Sequence, residues 1–252
     1  MSPNIPSEVN IIPPTPLSKG SKTTNIIPMQ ITKNGFYKVA DLDADIDILD
    51  GLEVFFYDDT SLKPRINLGA GTILHYISFF DQVGSYDTHI ICKWEGSELI
   101  LNTLIHARDS KISAKIMGEA DANNTRLTMN IIALAAQHGE IQVDGVLKIN
   151  QALRQVFGRL DENNIFLGSS WKLSGFPTLL VASDDIDASH GCKMEKISDE
   201  ELFYLRSRGV DKNNALKMLL EAKIQVLLSG VEAVYPEQYQ ILKDAMLEQV
   251  LA

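Results

Sequence analysis

Cysteine is nearly absent from this chain: its 252 residues include two, Cys92 and Cys192. That is too few for a disulfide framework, and without an export signal both read as reduced thiols. Long apolar runs are also missing. None approaches the roughly 20 residues that cross a bilayer, and the N-terminus lacks a basic segment leading into an apolar signal core. No membrane span is expected, and a cytoplasmic location follows. Positive charge is scarce, with 23 Lys and Arg against 33 Asp and Glu and a net charge of -10 that falls mainly between Asn34 and His190. Without a clustered basic patch, nucleic acid is not an expected partner. G-x-S-x-G, Walker A and H-E-x-x-H signatures are absent, and Gly69-Ala70-Gly71 lacks the further glycine and helix of a dinucleotide loop. ATP hydrolysis is therefore not expected of the chain itself. Proline is concentrated at the start, at positions 3, 6, 13, 14, 16 and 28. Residues 1–33 accordingly read as a flexible, Pro-rich tail.

The rest has an ordinary globular composition, 45% apolar and 22% charged, enough for one substantial core and a small second domain. From Leu42 the sequence alternates, with Leu42, Ala44, Ile46 and Ile48 on one side and Asp41, Asp43, Asp45 and Asp47 on the other. That period predicts a half-buried strand. A calcium loop fails on the same residues, because Ile46 stands where glycine is needed and Leu52 where the bidentate glutamate is needed. Short β-rich pieces follow at residues 73–80, 89–94, 98–106, 111–117, 126–135, 140–149, 165–173 and 178–182, joined by Gly, Asp, Asn and Ser. Few candidate helices lie between them, so the centre is all-β; sandwich, barrel and solenoid all satisfy the spacing.

The period then turns helical. Ser198 and Glu201 form a capping box for a helix from about Asp199, with Arg206 and Arg208 at its basic end and Gly209 placed to terminate it. Asp211 is placed to cap a second helix ending near Gly230, whose apolar side includes Leu216 and Leu220, and Pro236 suits the first turn of a third. These helices carry more leucine than they can bury among themselves, so part of that surface must pack on the β-domain or on another protein. Between strand and helix lies the most distinctive stretch, Ala182 to Gly209. Asp184, Asp185 and Asp187 mark where the strand at 178–182 leaves the core, and Gly191 after His190 suits a corner. In extended chain, Cys192 projects to the same side as His190.

That stretch, A-S-D-D-I-D-A-S-H-G-C-K-M-E followed by I-S-D-E-E-L-F-Y-L-R-S-R-G-V, resembles the SufB/SufD scaffold proteins of the SUF iron-sulfur cluster assembly system. SufD members carry a similar A-D-D-V-x-A-S-H-G-A-T-V-G and L-D-E-x-x-L-F-Y-L-x-S-R-G-I. Asn164 to Ser169 and Pro177-Thr178-Leu179 resemble further family segments, and the likeness is clear over about residues 140 to 230. Two departures stand out: Cys192 replaces the usual alanine, and Met194-Glu195 replaces Val-Gly. The resemblance implies a right-handed parallel β-helix core over 34–190 and a small helical C-terminal domain over 191–252. It implies a SufD-like, non-catalytic scaffold that pairs with a SufB-like protein and docks a SufC-like ATPase, a homodimer being the other pairing considered.

His190 matches the family's His-Gly motif, which implies iron or cluster handling at a subunit interface, with no stably bound cofactor. Imidazole and thiolate together are competent iron or zinc ligands, so Cys192 joins His190 as a cofactor-binding candidate, against the alternative of an incidental thiol. Arg206, Arg208, Leu216 and Leu220 are the candidate partner-binding residues. The competing reading is a stand-alone β-solenoid enzyme acting on a carbohydrate or other small substrate. It requires carboxylates that converge on a long groove.

Overall fold

A computed structural model describes residues 28–167, 172–197 and 199–251, with the side chains of Asp199 and Glu201 excepted. Residues 1–27, and with them most of the Pro-rich tail, lie outside the described residues, as does Ser198 of the capping box. The short strands alternate between two sheets. One contains β1 (Met29–Ile31), β3 (Asp45–Ile48), β5 (Arg65–Leu68), β7 (Gly84–Cys92), β9 (Lys111–Ala120), β11 (Glu140–Ile149) and β13 (Lys172–Ser174), with β14 (Thr178–Val181) also on β11. The other contains β2 (Gly35–Lys38), β4 (Glu53–Asp58), β6 (Ile73–Phe80), β8 (Glu98–Arg108), β10 (Arg126–Ala136), β12 (Arg154–Leu167) and β15 (Asp185–Lys196). Every pairing is parallel. The chain therefore winds as a β-solenoid of about five turns, each turn adding one strand to each sheet and stacking on the turn before.

Two apolar layers hold this coil together. Inward residues of both sheets, among them Ile46, Phe56, Ile90, Leu101, Leu127, Val143 and Leu160, form one continuous interior cluster. Each such side chain contributes about 1.5–3 kcal/mol on burial. The second sheet is apolar on its outer face as well, where Phe55, Tyr57, Ile77, Phe79, Leu104, Ile132, Leu134 and Ile165 meet the C-terminal helices. Strands buried on both faces read as near-continuous apolar runs, which explains I-L-H-Y-I-S-F-F in β6.

The helices are α1 (Asp199–Ser207), α2 (Lys212–Val234) and α3 (Pro236–Leu251). The Asp211 carboxylate accepts from the amides of Asn213 and Asn214, as its position predicts for an N-cap. Gly209 ends α1 at φ +89°, the left-handed conformation its position predicts. α2 does not stop at Gly230. It continues to Val234, and Gly230 is instead a contact point where an added Cβ would sit 3.1 Å from Nδ1 of His75 on β6.

Several expected boundaries move. Met29–Ile31, inside the expected tail, is a strand paired with β3. The strand expected from Leu42 begins at Asp45, because Val39–Asp41 forms a 3-10 turn, and Ala44 is exposed. The strand expected at 178–182 ends at Val181, and a further 12-residue strand, β15, runs from Asp185 to Lys196. Gly191 is therefore not a corner. It lies mid-strand, where a Cβ would come 3.1 Å from Oδ1 of Asp161, so its small size serves a close approach to the neighbouring strand.

Candidate functional site

β15 is the last strand of its sheet and, among the described residues, pairs with β12 alone. In a parallel pair, residues in register share a face. His190 is in register with Leu160 and Cys192 with Glu162, and Leu160 belongs to the interior cluster. Both site candidates thus face the interior side of the sheet. They are nevertheless exposed, consistent with β15 being the terminal strand. Nδ1 of His190 lies 2.9 Å from the carbonyl oxygen of Pro177, which makes Nδ1 the donor nitrogen and Nε2 the acceptor one.

Beneath Cys192 the interior is polar. Glu162 and Asn164 are 1% and 0% exposed. The Asn164 amide nitrogen donates to Glu162 Oε1 at 2.9 Å and reaches Cys192 Sγ at 3.5 Å. Burial pushes the Glu162 carboxyl up, more than that hydrogen bond lowers it. The Cys192 thiol is also raised, by burial and then by the neighbouring Glu162 carboxylate. Cys92, by contrast, is fully buried, and burial pushes its thiol up to about 12, as suits a packing residue. No cluster of three or more His, Cys, Asp and Glu side chains suited to a metal ion occurs among the described residues.

On the outer face of the same strand, Glu195 accepts from Lys223 of α2 at 2.5 Å and from Asn163 at 3.0 Å, and is also paired with Lys193. Burial alone would raise its carboxyl. The two ammonium groups and the amide outweigh burial and hold it at about 2. This network ties the terminal strand to α2. A carboxyl depressed in the folded state stabilises above its unfolded value, near 4.5, and that contribution is lost as pH falls toward about 2. Glu195→Gln is therefore expected to flatten the dependence of the urea midpoint on pH between about 4.5 and 2.5. A wild-type slope in the variant would mean that the network contributes nothing.

The helical candidates separate. Leu220 is 3% exposed and Leu216 partly buried, both packed against the sheet-facing cluster, so that face is occupied within the chain. Phe203 (71% exposed), Tyr204 (55%) and Met218 (50%) project outward instead. Arg206 and Arg208 are exposed, and the Arg208 guanidinium lies 4.7 Å from the centre of the Tyr204 ring. The acids do not converge. Asp45 and Asp47 lie on a strand of the first sheet, and Asp185 and Asp187 on the terminal strand of the second, which removes the basis for a carbohydrate groove.

Sequence reasoning missed Glu162, Asn164, Glu195 and Lys223 as members of one terminal coil. The signal was present for the first two: Val156, Gly158, Leu160, Glu162 and Asn164 keep the period of two along β12, which places a carboxylate and an amide on the core face.

The chain is thus a β-solenoid followed by a helical unit, with a histidine-bearing strand at the last edge of one sheet. Residues 65–223 match the family described as SUF system FeS cluster assembly, SufBD core domain, and the chain belongs to that family. It is 30% identical over 89 residues to the iron-sulfur cluster assembly protein SufD of Escherichia coli K12, a match covering 35% of this chain and 21% of that protein. It is 24% identical over 126 residues to SufB of Bacillus subtilis, covering 50% and 27% of the two chains. A SufBD family protein of Methanothermobacter thermautotrophicus matches at 19% over 183 residues, covering 69% of this chain and 43% of the relative. Each match therefore spans less than half of the relative's length.

Proposed function

We propose that the protein is a SufD-like, non-catalytic scaffold subunit of iron-sulfur cluster assembly, acting in the cytoplasm. In this reading the open terminal coil pairs with a SufB-like subunit and the C-terminal helices dock a SufC-like ATPase. The observation that carries the reading is the contrast between the two ends of the solenoid. The first coil ends in strands of three and four residues, too short to template pairing. The last presents a 12-residue edge strand beside exposed Phe176, Leu180, Val181 and Met194. A long strand edge flanked by apolar side chains is a pairing surface unless something covers it. No helix among the described residues is long and apolar enough to cross a membrane.

Iron or a nascent cluster is cargo in this account. Clusters are held chiefly by thiolates. Cys192 is the single exposed cysteine and Cys92 is sealed in the core, so this chain supplies a minority of the ligands and the partner the rest. His190, whose Nε2 is the lone-pair nitrogen once Nδ1 donates to Pro177, is the second ligand from this side. The test is co-expression with SufB-like and SufC-like proteins followed by affinity capture of this chain. A ternary complex is expected, and Val181→Lys with Met194→Lys removes the SufB-like subunit while the SufC-like one stays. Recovery of this chain alone, or loss of neither partner from the variant, contradicts the reading.

A further inference from the structure

The first sheet has a step in it. β3 and β5 begin at Asp45 and Arg65, whereas β7 and β9 run farther back along the sheet, to Gly84 and Lys111. Arg65 is in register with His89, so residues 84–88 pair with β9 but, among the described residues, with no strand on their other side. The His89 N–H donates to the Pro64 carbonyl at 3.0 Å. By the two-residue period of the ladder, the Asp87 N–H is turned the same way, toward the place that a longer β5 would fill. A cavity of about 370 Å3 opens at this step, within the range of small-molecule sites. It lies on the outer face of the first sheet, whereas the helices cover the second.

The lining is charged with both signs. Lys63, Arg65 and Lys115 meet Asp45, Asp87 and His89 around the cavity. Asp45 is the in-register neighbour of Arg65, and Asp87 of Lys115, on strands that stand about 4.8 Å apart. Neither pair closes, and none of these five charged side chains forms an ion pair among the described residues. His89 is held differently. Its Nε2 lies 2.8 Å from Glu119 Oε2, and Glu119 also accepts from Lys148 and Asn150, both at 2.9 Å. With Nε2 committed to a carboxylate that only accepts, Nδ1 of the neutral ring is the acceptor nitrogen.

We propose that this step binds a small amino-dicarboxylate, a molecule with one ammonium and two carboxylates in the manner of an acidic amino acid. Three cations against two carboxylates leave the lining with a surplus of one positive charge, which a ligand of net charge −1 neutralises. A bare anion would bring like charge to Asp45 and Asp87, and a bare cation would do the same to the three basic groups. A ligand carrying both signs satisfies both sets. Arg65, Lys63 and Lys115 hold the carboxylates, with the guanidinium suited to a two-point contact. Asp45, Asp87 and the acceptor nitrogen of His89 take the ammonium, and Met117, also in the lining, packs on the aliphatic stem. The site lies on the sheet that carries neither β15 nor the helices, so it stands independently of the scaffold reading.

The test is calorimetric titration of the full chain with L-glutamate, L-aspartate and glutarate. One equivalent of at least one of the two amino acids is expected to bind, and glutarate, which lacks the ammonium, should bind at least about tenfold more weakly. Arg65→Gln should weaken amino acid and glutarate alike by about tenfold or more. Asp87→Asn should weaken the amino acid by a similar factor without weakening glutarate. Lys172→Gln, an exposed cation of the same sheet outside the cavity, should bind as wild type does. Circular dichroism melts check that the variants fold. Should Asp87→Asn fail to fold, Lys115→Gln, at an exposed position, replaces it with the expectation stated for Arg65→Gln. No heat from either amino acid at millimolar concentration, glutarate binding as tightly as the amino acid, or wild-type affinity in Arg65→Gln overturns the proposal.

Discussion

Leu228→Asp is expected to strip the C-terminal helices from the solenoid. Leu228 is 0% exposed and sits among Phe55, Tyr57, Ile77, Leu104 and Leu242 in the layer between helices and sheet. Truncating a buried leucine costs about 2–5 kcal/mol, and placing a carboxylate in the same apolar layer adds several more, roughly 2–7 kcal/mol by the polar-transfer scale. In a domain of this size each kcal/mol lowers the melting midpoint by about 2–4 °C, so a loss of roughly 10 °C or more follows. The interior cluster shares no residue with this layer. Limited proteolysis should therefore release the helices first and leave a protected β-core. The control is Val226→Asp on the same helix, at a site 69% exposed, where a change within about 0.5 kcal/mol is expected. Equal effects of the two substitutions would show that the helices are not held by this layer.

The second large effect is on assembly. Phe203→Asp combined with Tyr204→Asp should reduce capture of the SufC-like ATPase by at least about 100-fold, since exposed aromatic anchors at the centre of an interface each cost about 2 kcal/mol or more when lost. Melting should stay close to wild type, because both side chains are already in water at 71% and 55% exposure. Leu220→Asp makes the opposite combination: capture falls only as far as folding does, because Leu220 is occupied against the sheet. The measurement is capture yield beside a thermal melt for each variant. If Leu220→Asp abolished capture with an unchanged melt while the aromatic pair did not, the docking face would be the one that Leu216 and Leu220 share, and α2 would have to lift from the sheet to bind.

The regular parts of this fold were legible for local reasons. β6 and β11 have the bounds of the β-rich pieces at 73–80 and 140–149, and Asp211 and Pro236 begin helices as their chemistry requires. The solenoid itself was not legible from spacing, because the coils differ in length. Val54 pairs with Leu74, 20 residues on, whereas Leu127 pairs with Gly158, 31 residues on. No fixed repeat exists for a sequence reader to find, and the family resemblance supplied the architecture instead. β15 was missed because it is the last strand of its sheet: exposed His190, Cys192 and Met194 dilute the alternation that a buried strand would show. Helical periodicity identifies the apolar side that Leu216 and Leu220 share without saying what covers it, and here the sheet does. For the site, His190 and Cys192 were legible as a pair on one side of extended chain. Their neighbour Glu162 was hidden by a coil boundary 30 residues upstream, a distance that only stacking closes.

The central claim is that the outer edge of β15, the last strand of its sheet among the described residues, is where a second scaffold subunit joins. Amide hydrogen exchange of this chain, alone and with a SufB-like subunit, tests it most directly. The account predicts that the alternate amides of Asp185–Lys196 that point away from β12 exchange readily in the free protein and become protected in the complex, with β6 and β8 protected in both. Unchanged exchange along β15, with new protection confined to the helices or to β1 and β2, would contradict it.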